Sequence, residues 1–249
     1  MKKLDLSIKI YIGLVLLLCA LTAVNIFLPQ GDFLSVEDQQ LPASKGLIAV
    51  VNAFIVLFLY GGLGFLGLIL ARRLGFAEVW DPRVNNRQRF VQPIWIGAAI
   101  GVFLILADFV FSQFHSLGPL PHPPFPTSLV ASMVAGIGEE IIFRLFFISF
   151  WVWLVSQVFL KGRHRETVFW IVTVFSALIF AAGHLPTAMI LFDVSNIQAL
   201  PPALLAEMFV LNGLLSFVAA YYFRKHGFLA AVGIHFWADV VWHVIWGAI

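Results

Sequence analysis

Charge is scarce in this chain. Only 11% of its 249 residues are Asp, Glu, Lys or Arg, while 61% are hydrophobic. A soluble domain of this size cannot hide that much apolar surface, so the composition excludes a water-soluble fold and points to a polytopic membrane protein. Cysteine is nearly absent. Cys19 stands alone in an apolar run, which rules out an internal disulfide and argues against a cysteine-ligated metal. The chain has no H-E-x-x-H, so the zinc helix of soluble metalloproteases is excluded. It has no G-x-S-x-G and no Ser/Lys pair within its apolar runs, which argues against a serine-type intramembrane hydrolase. Internal repeats are lacking, and no loop is long enough to form a second domain. Residues 1–249 therefore read as a single transmembrane domain.

What is present in abundance is the spanning segment. A helix crossing a bilayer needs about 20 apolar residues. Seven stretches meet that length, at about 8–28, 47–71, 92–112, 128–158, 168–190, 203–223 and 228–248. The fourth is long enough that it must tilt or project. The first lacks a small-x-small cleavage pattern at its end, so it reads as a retained helix. The fold expected is an all-α polytopic bundle of seven spans, or eight if a further segment enters the membrane within 185–202.

The basic residues sort to one side of that bundle. Seven spans put Lys2, Lys3, Lys9, Arg72, Arg73, Arg83, Arg87, Arg89, Lys161, Arg163, Arg165, Arg224 and Lys225 together. Lys45 alone lies opposite, and Arg144 falls within a span. The positive-inside rule then sets the N-terminus inside and the C-terminus outside. The compact chain fits a prokaryotic plasma membrane. Its expected partners are membrane lipids and a protein or peptide substrate, with no nucleic acid. The segment "SLGPLPHPPFPT" after the third span reads as an extended connector, because its prolines forbid a helix.

Ionisable side chains inside spans cost about 2.5–3.5 kcal/mol each at the bilayer centre, so each needs a partner or a task. The stretch "VAGIGEEIIFRLFF" carries three. Glu140 and Arg144 stand four apart, acid first, in the order that favours an intrahelical ion pair. Glu139 is turned about 100° away. It is left without that partner and is suited to act as a general base. Gly136 and Gly138 let a neighbouring helix come close. The fifth span carries "FAAGH" in its outer part, with Phe180 one turn before His184. The seventh holds "HFWADVVWH", in which His235, Asp239 and His243 form one polar stripe. His243, a turn further out, is the weaker candidate. Asp108 and Glu207 fall near predicted outer ends and read as interfacial carboxylates in contact with water. A straight fifth helix would set His184 about 24 Å from the inner end, beyond the level of Glu139 and His235. It must therefore tilt, or begin later than Thr167.

Two histidines with a carboxylate are a known zinc set, with water as the fourth ligand. The same groups activate water without metal when a Glu–His pair takes the proton and a second histidine faces the oxyanion. The residues leave both versions open. Buried Glu, His and Asp also serve proton relays, so a proton-coupled carrier is the competing class, although no inverted repeat accompanies it.

The three segments "EEIIFR" (Glu139–Arg144), "FAAGH" (Phe180–His184) and "HFWAD" (His235–Asp239) resemble the motifs E-E-x-x-x-R, F-x-x-x-H and H-x-x-x-N/D of the CPBP family. These are the intramembrane proteases of CAAX prenyl protease and Abi bacteriocin-immunity type. The motifs stand in family order on separate helices, and the resemblance covers a protease core at about residues 128–245. It implies an intramembrane endopeptidase in which Glu139 and His184 activate water, and His235 with Asp239 polarises the scissile carbonyl. Glu140, Arg144 and Phe180 support them. If a metal is bound, Glu139, His184, His235 and Asp239 are its ligands, and zinc is the metal implied. Asp239 departs from the Asn of eukaryotic relatives. A carboxylate donates no hydrogen bond unless protonated, so this change favours orientation of His235 or a cation. A catalytically idle member acting as a binding or immunity protein is the remaining alternative.

Overall fold

The computed structural model describes residues 5–31 and 43–249. Lys2, Lys3 and most of the loop between the first two spans lie outside the described residues. The described chain is all helical, without strands. Seven helices are long and apolar enough to cross a membrane: α1 (Leu6–Asn25), α2 (Lys45–Arg73), α3 (Arg87–Phe114), α4 (Thr127–Phe159), α5 (Arg165–Leu191), α6 (Pro202–His226) and α7 (Phe228–Ala248). The protein is an integral membrane protein. Segment 185–202 holds no eighth span. It contains a short helix, Leu185–Leu191, that continues α5, and a single turn at Ile197–Ala199.

Large side chains such as Trp95, Phe58 and Phe109 face outward from the bundle. In water this would be costly; against lipid tails it is the expected surface. Polar groups turn inward instead, among them Asp108, Glu140, Arg144, Glu207 and Asp239.

The seventh helix lies at the centre. α7 packs against α3, α4 and α6. Glycines set how closely. A Cβ on Gly97 would lie 2.5 Å from the Ile234 carbonyl, and one on Gly101 would lie 2.6 Å from Val241 Cβ. The α3 backbone thus rests directly on α7, as small-xxx-small spacing allows. On the other side, Gly136 of α4 faces the Phe236 backbone at 3.2 Å. The expected closeness at Gly136 is therefore contact with the helix that carries His235. Gly138 faces Tyr60 and Leu18 instead.

The loop between α2 and α3 is knotted by charge. Asp81 accepts two hydrogen bonds from the Arg83 guanidinium, at 2.9 and 2.6 Å. Arg89 donates to the carbonyls of Asp81 and Val84 and lies over the Trp80 ring at 3.9 Å. The Arg83 guanidinium beside Asp81 holds its carboxyl at about 2, below the usual carboxylate range.

Candidate active site

Three helices bring the candidate groups to one place. Glu139 and Glu140 stand two-fifths of the way along α4. Immediately after them the helix widens into π-type turns over Ile141–Ile148, and α7 widens likewise over Val240–Ile245, immediately after Asp239. Wide turns of this kind recur at functional sites.

α5 stops being continuous at His184. Its long part ends at Gly183 and a new helix starts at Leu185, with Pro186 in the first turn. The His184 backbone N–H turns to the Ala181 carbonyl at 3.1 Å. That deprives the Phe180 carbonyl of its helical donor. The His184 Nδ1–H takes its place at 2.8 Å. α5 begins at Arg165, before Thr167 rather than after it, so a later start does not account for the depth of His184.

Glu139, His184, His235 and Asp239 line a single cavity of about 250 Å³. His235 is its hub. The Nδ1–H donates to Glu140 Oε1 at 2.9 Å. On the opposite ring edge, Nε2 lies 3.7 Å from Glu139 Oε2 and 3.6 Å from Asp239 Oδ2. The Glu139 side chain is 34% exposed, the most open of the acids around this imidazole, whereas Glu140 is fully buried. Glu139 is therefore the acid most open to the cavity.

The supporting groups stack beneath. Arg144 Nε lies 3.2 Å from Glu140 Oε2, and both side chains are wholly buried. The guanidinium also lies over the Phe180 ring at 4.7 Å. That ring touches the His184 and His235 imidazoles, with centroids 4.9 and 5.9 Å away. Phe180 thus separates a buried cation from two imidazoles and holds all three in place.

Two expectations need correction. Glu140 is not satisfied by Arg144 alone, and the residue that holds the His235 Nδ1–H is Glu140, not Asp239. Asp239 lies on the Nε2 side, facing the cavity. Second, Asp108 and Glu207 are not water-contacting interfacial groups: they are 2% and 0% exposed. The Asp108 carboxylate accepts the Leu120 N–H at 3.0 Å, and Glu207 meets His115 Nε2 at 3.5 Å. The connector folds back over α3 and α6 and covers them.

Reading the sequence also missed Asn212, which lines the cavity from α6 among Met208, Leu211 and Leu215. A lone amide in "EMFVLNGLLSF" was the available signal. His243, the weaker candidate, lines the cavity too, and its Nδ1 lies 3.1 Å from His122 Nδ1.

As arranged, the donors are not gathered at the spacing a bound zinc requires. A catalytic zinc draws three side chains to within about 2.0–2.2 Å of one point. Among the described residues, no group of three His, Cys, Asp or Glu side chains is placed to hold a metal ion. The Nδ1–H groups of His184 and His235 donate to the Phe180 carbonyl and to Glu140, which leaves the Nε2 atom of each ring as the one not so engaged.

Residues 121–241 match the family model described as type II CAAX prenyl endopeptidase Rce1-like. No curated protein and no solved structure matches the chain.

Proposed function

We propose that this chain, whose residues 121–241 match the type II CAAX prenyl endopeptidase family model, is an intramembrane protease that hydrolyses a peptide bond of a membrane-associated protein or peptide with a water activated by Glu139 and His184. The observation that carries this reading is the meeting of Glu139, His184, His235 and Asp239, from three helices, around one cavity. Each group alone is costly in lipid, and gathering them around shared water satisfies all of them together.

The chemistry follows from the hydrogen bonds. With Nδ1–H committed to Phe180, neutral His184 presents an Nε2 lone pair and can accept a hydrogen bond from the water. Glu139 removes a proton from that water as its oxygen bonds to the scissile carbonyl carbon. The carbonyl π electrons move to oxygen. His235 meets this oxyanion as an imidazolium, donating through Nε2–H, while Glu140 holds Nδ1–H and fixes the ring. Collapse breaks the C–N bond, and Glu139 returns its proton to the leaving amine. The products are a carboxylic acid and an amine. Asp239 balances the charge on His235 from the cavity side.

The site also supports a choice of substrate form. Leu104, Leu211, Leu215 and Trp242 give the cavity apolar walls, suited to an extended segment with apolar side chains. The charge asymmetry of the loops supports an N-terminus inside and a C-terminus outside. The test is a comparison of membrane-protein termini in cells with the native chain and with Glu139→Gln. New termini that require Glu139, together with an unchanged melting temperature of the variant, are expected. Equal processing by Glu139→Gln would sink the assignment.

A further inference from the structure

The connector at residues 115–126 is unusual in how it is held. Proline at 119, 121, 123, 124 and 126 removes five of its twelve backbone donors. Leu120 keeps its N–H between two prolines, and that donor goes to the buried Asp108 carboxylate at 3.0 Å. Two further links lie on either side. His115 meets the buried Glu207 at 3.5 Å, and His122 meets His243 at 3.1 Å while its ring packs on Trp242 at 4.7 Å. The segment so fastened is not peripheral. Leu120, Pro121 and Pro123 line the same cavity as Glu139 and His235.

A carboxylate buried in a spanning helix is expensive, and a connector needs no such anchor merely to join two helices. A bond to a charged acceptor is about twice as strong as a neutral one. It also breaks in one step, unlike an apolar seam. We propose that residues 115–126 form a movable outer wall of the cavity, that Asp108 is the positioning residue that latches it through Leu120, and that water and an extended peptide enter when this latch releases. The proposal deepens the protease reading, since it assigns that site its entrance, but its test does not depend on cleavage.

The full chain is placed in lipid nanodiscs with Cys19→Ser and one new thiol, Ala135→Cys, on the cavity lining. A charged, membrane-impermeant methanethiosulfonate reports access to the cavity. Asp108→Ala is expected to speed labelling at 135 by about tenfold, the weight of a hydrogen bond to a buried charge. Asp108→Asn keeps a neutral acceptor oxygen and is expected to label at a rate between those of the native chain and Asp108→Ala. A thiol at the fully buried Ala219, introduced as Ala219→Cys, reports integrity of the bundle and should remain unlabelled throughout. Should Asp108→Ala open the bundle at 219, Leu120→Pro replaces it, because it deletes the donor and leaves the buried acid in place. Labelling at 135 that ignores the loss of the latch overturns the proposal, as does an Asp108→Asn rate equal to that of Asp108→Ala. A failure of Glu139→Gln to stop cleavage would remove the protease reading while leaving these thiol rates as they are.

Discussion

Glu140 and His235 lie 95 positions apart and share a buried 2.9 Å hydrogen bond from the imidazole Nδ1–H to the carboxylate. The same carboxylate faces Arg144 at 3.2 Å. One side chain thus fixes the orientation of a candidate catalytic ring and neutralises a buried cation. Glu140→Gln is expected to reduce cleavage on the order of a hundredfold. It should shift the pH profile as well, because the amide can present either an oxygen or an NH₂ to Nδ1. An unchanged profile with lowered yield would reduce Glu140 to a packing role.

Arg144 tests the other half of that carboxylate. Arg144→Ala leaves Glu140 with a single partner and empties the space over Phe180. The expected cost is about 3–5 kcal/mol, the penalty for breaking a buried pair. Thermal melting of the purified protein measures it. Arg144→Lys should recover only part of the loss, because a point charge does not lie flat on an aromatic ring as a guanidinium does. Native-like melting of Arg144→Ala would remove the ion pair from the account.

The α3–α7 contact makes a purely steric prediction. A side chain at Gly101 would meet Val241 Cβ at 2.6 Å and the Ala238 carbonyl at 2.7 Å. Gly101→Val is expected to destabilise by about 1–3 kcal/mol and to impair cleavage, because α7 carries His235 and Asp239. Gly62→Ala is the control, since nothing lies within 4 Å of a Cβ there.

Asp81 gives a dependence on pH. Its carboxyl sits at about 2 because of Arg83, below the unfolded value of about 3.9. A depressed carboxyl contributes stability that is complete above the unfolded value and is lost as pH falls through the folded one. Asp81→Asn should therefore melt below the native chain at pH 6, and the difference should shrink between about pH 4 and pH 2. A difference that grows on acidification would contradict the Arg83 pairing.

The arrangement of donors predicts the response to metal removal. Purified protein treated with a membrane-permeant chelator is expected to retain cleavage, and added zinc should not raise it. Loss on chelation with recovery on zinc addition would show that the site rearranges to gather Glu139, His184 and His235 on a metal.

Much of this was legible in the chain. The spans follow from apolar runs of bilayer length, and the observed helix ends fall within a few residues of those runs. Glu140 and Arg144 could be paired from their spacing because one helix carries both. The Glu140–His235 bond could not, since it depends on how α7 lies against α4, and no local pattern encodes a contact across 95 positions. The burial of Asp108 and Glu207 was hidden for a related reason. Their helical positions mark them as near an end, but the Pro-rich connector covers them only after it folds back. The end of the long part of α5 at Gly183 was signalled by Pro186, two residues after His184.

The end of the long part of α5 carries a consequence for mutagenesis. The His184 imidazole supplies the donor that the Phe180 carbonyl loses where the helix stops. An alanine there removes a candidate water-binding group and a terminator at once, and the two losses arrive in one measurement. Asparagine keeps a short side-chain N–H able to reach back along the helix but has no imidazole lone pair. Paired alanine and asparagine variants at this position therefore dissect punctuation of the backbone from chemistry of the ring.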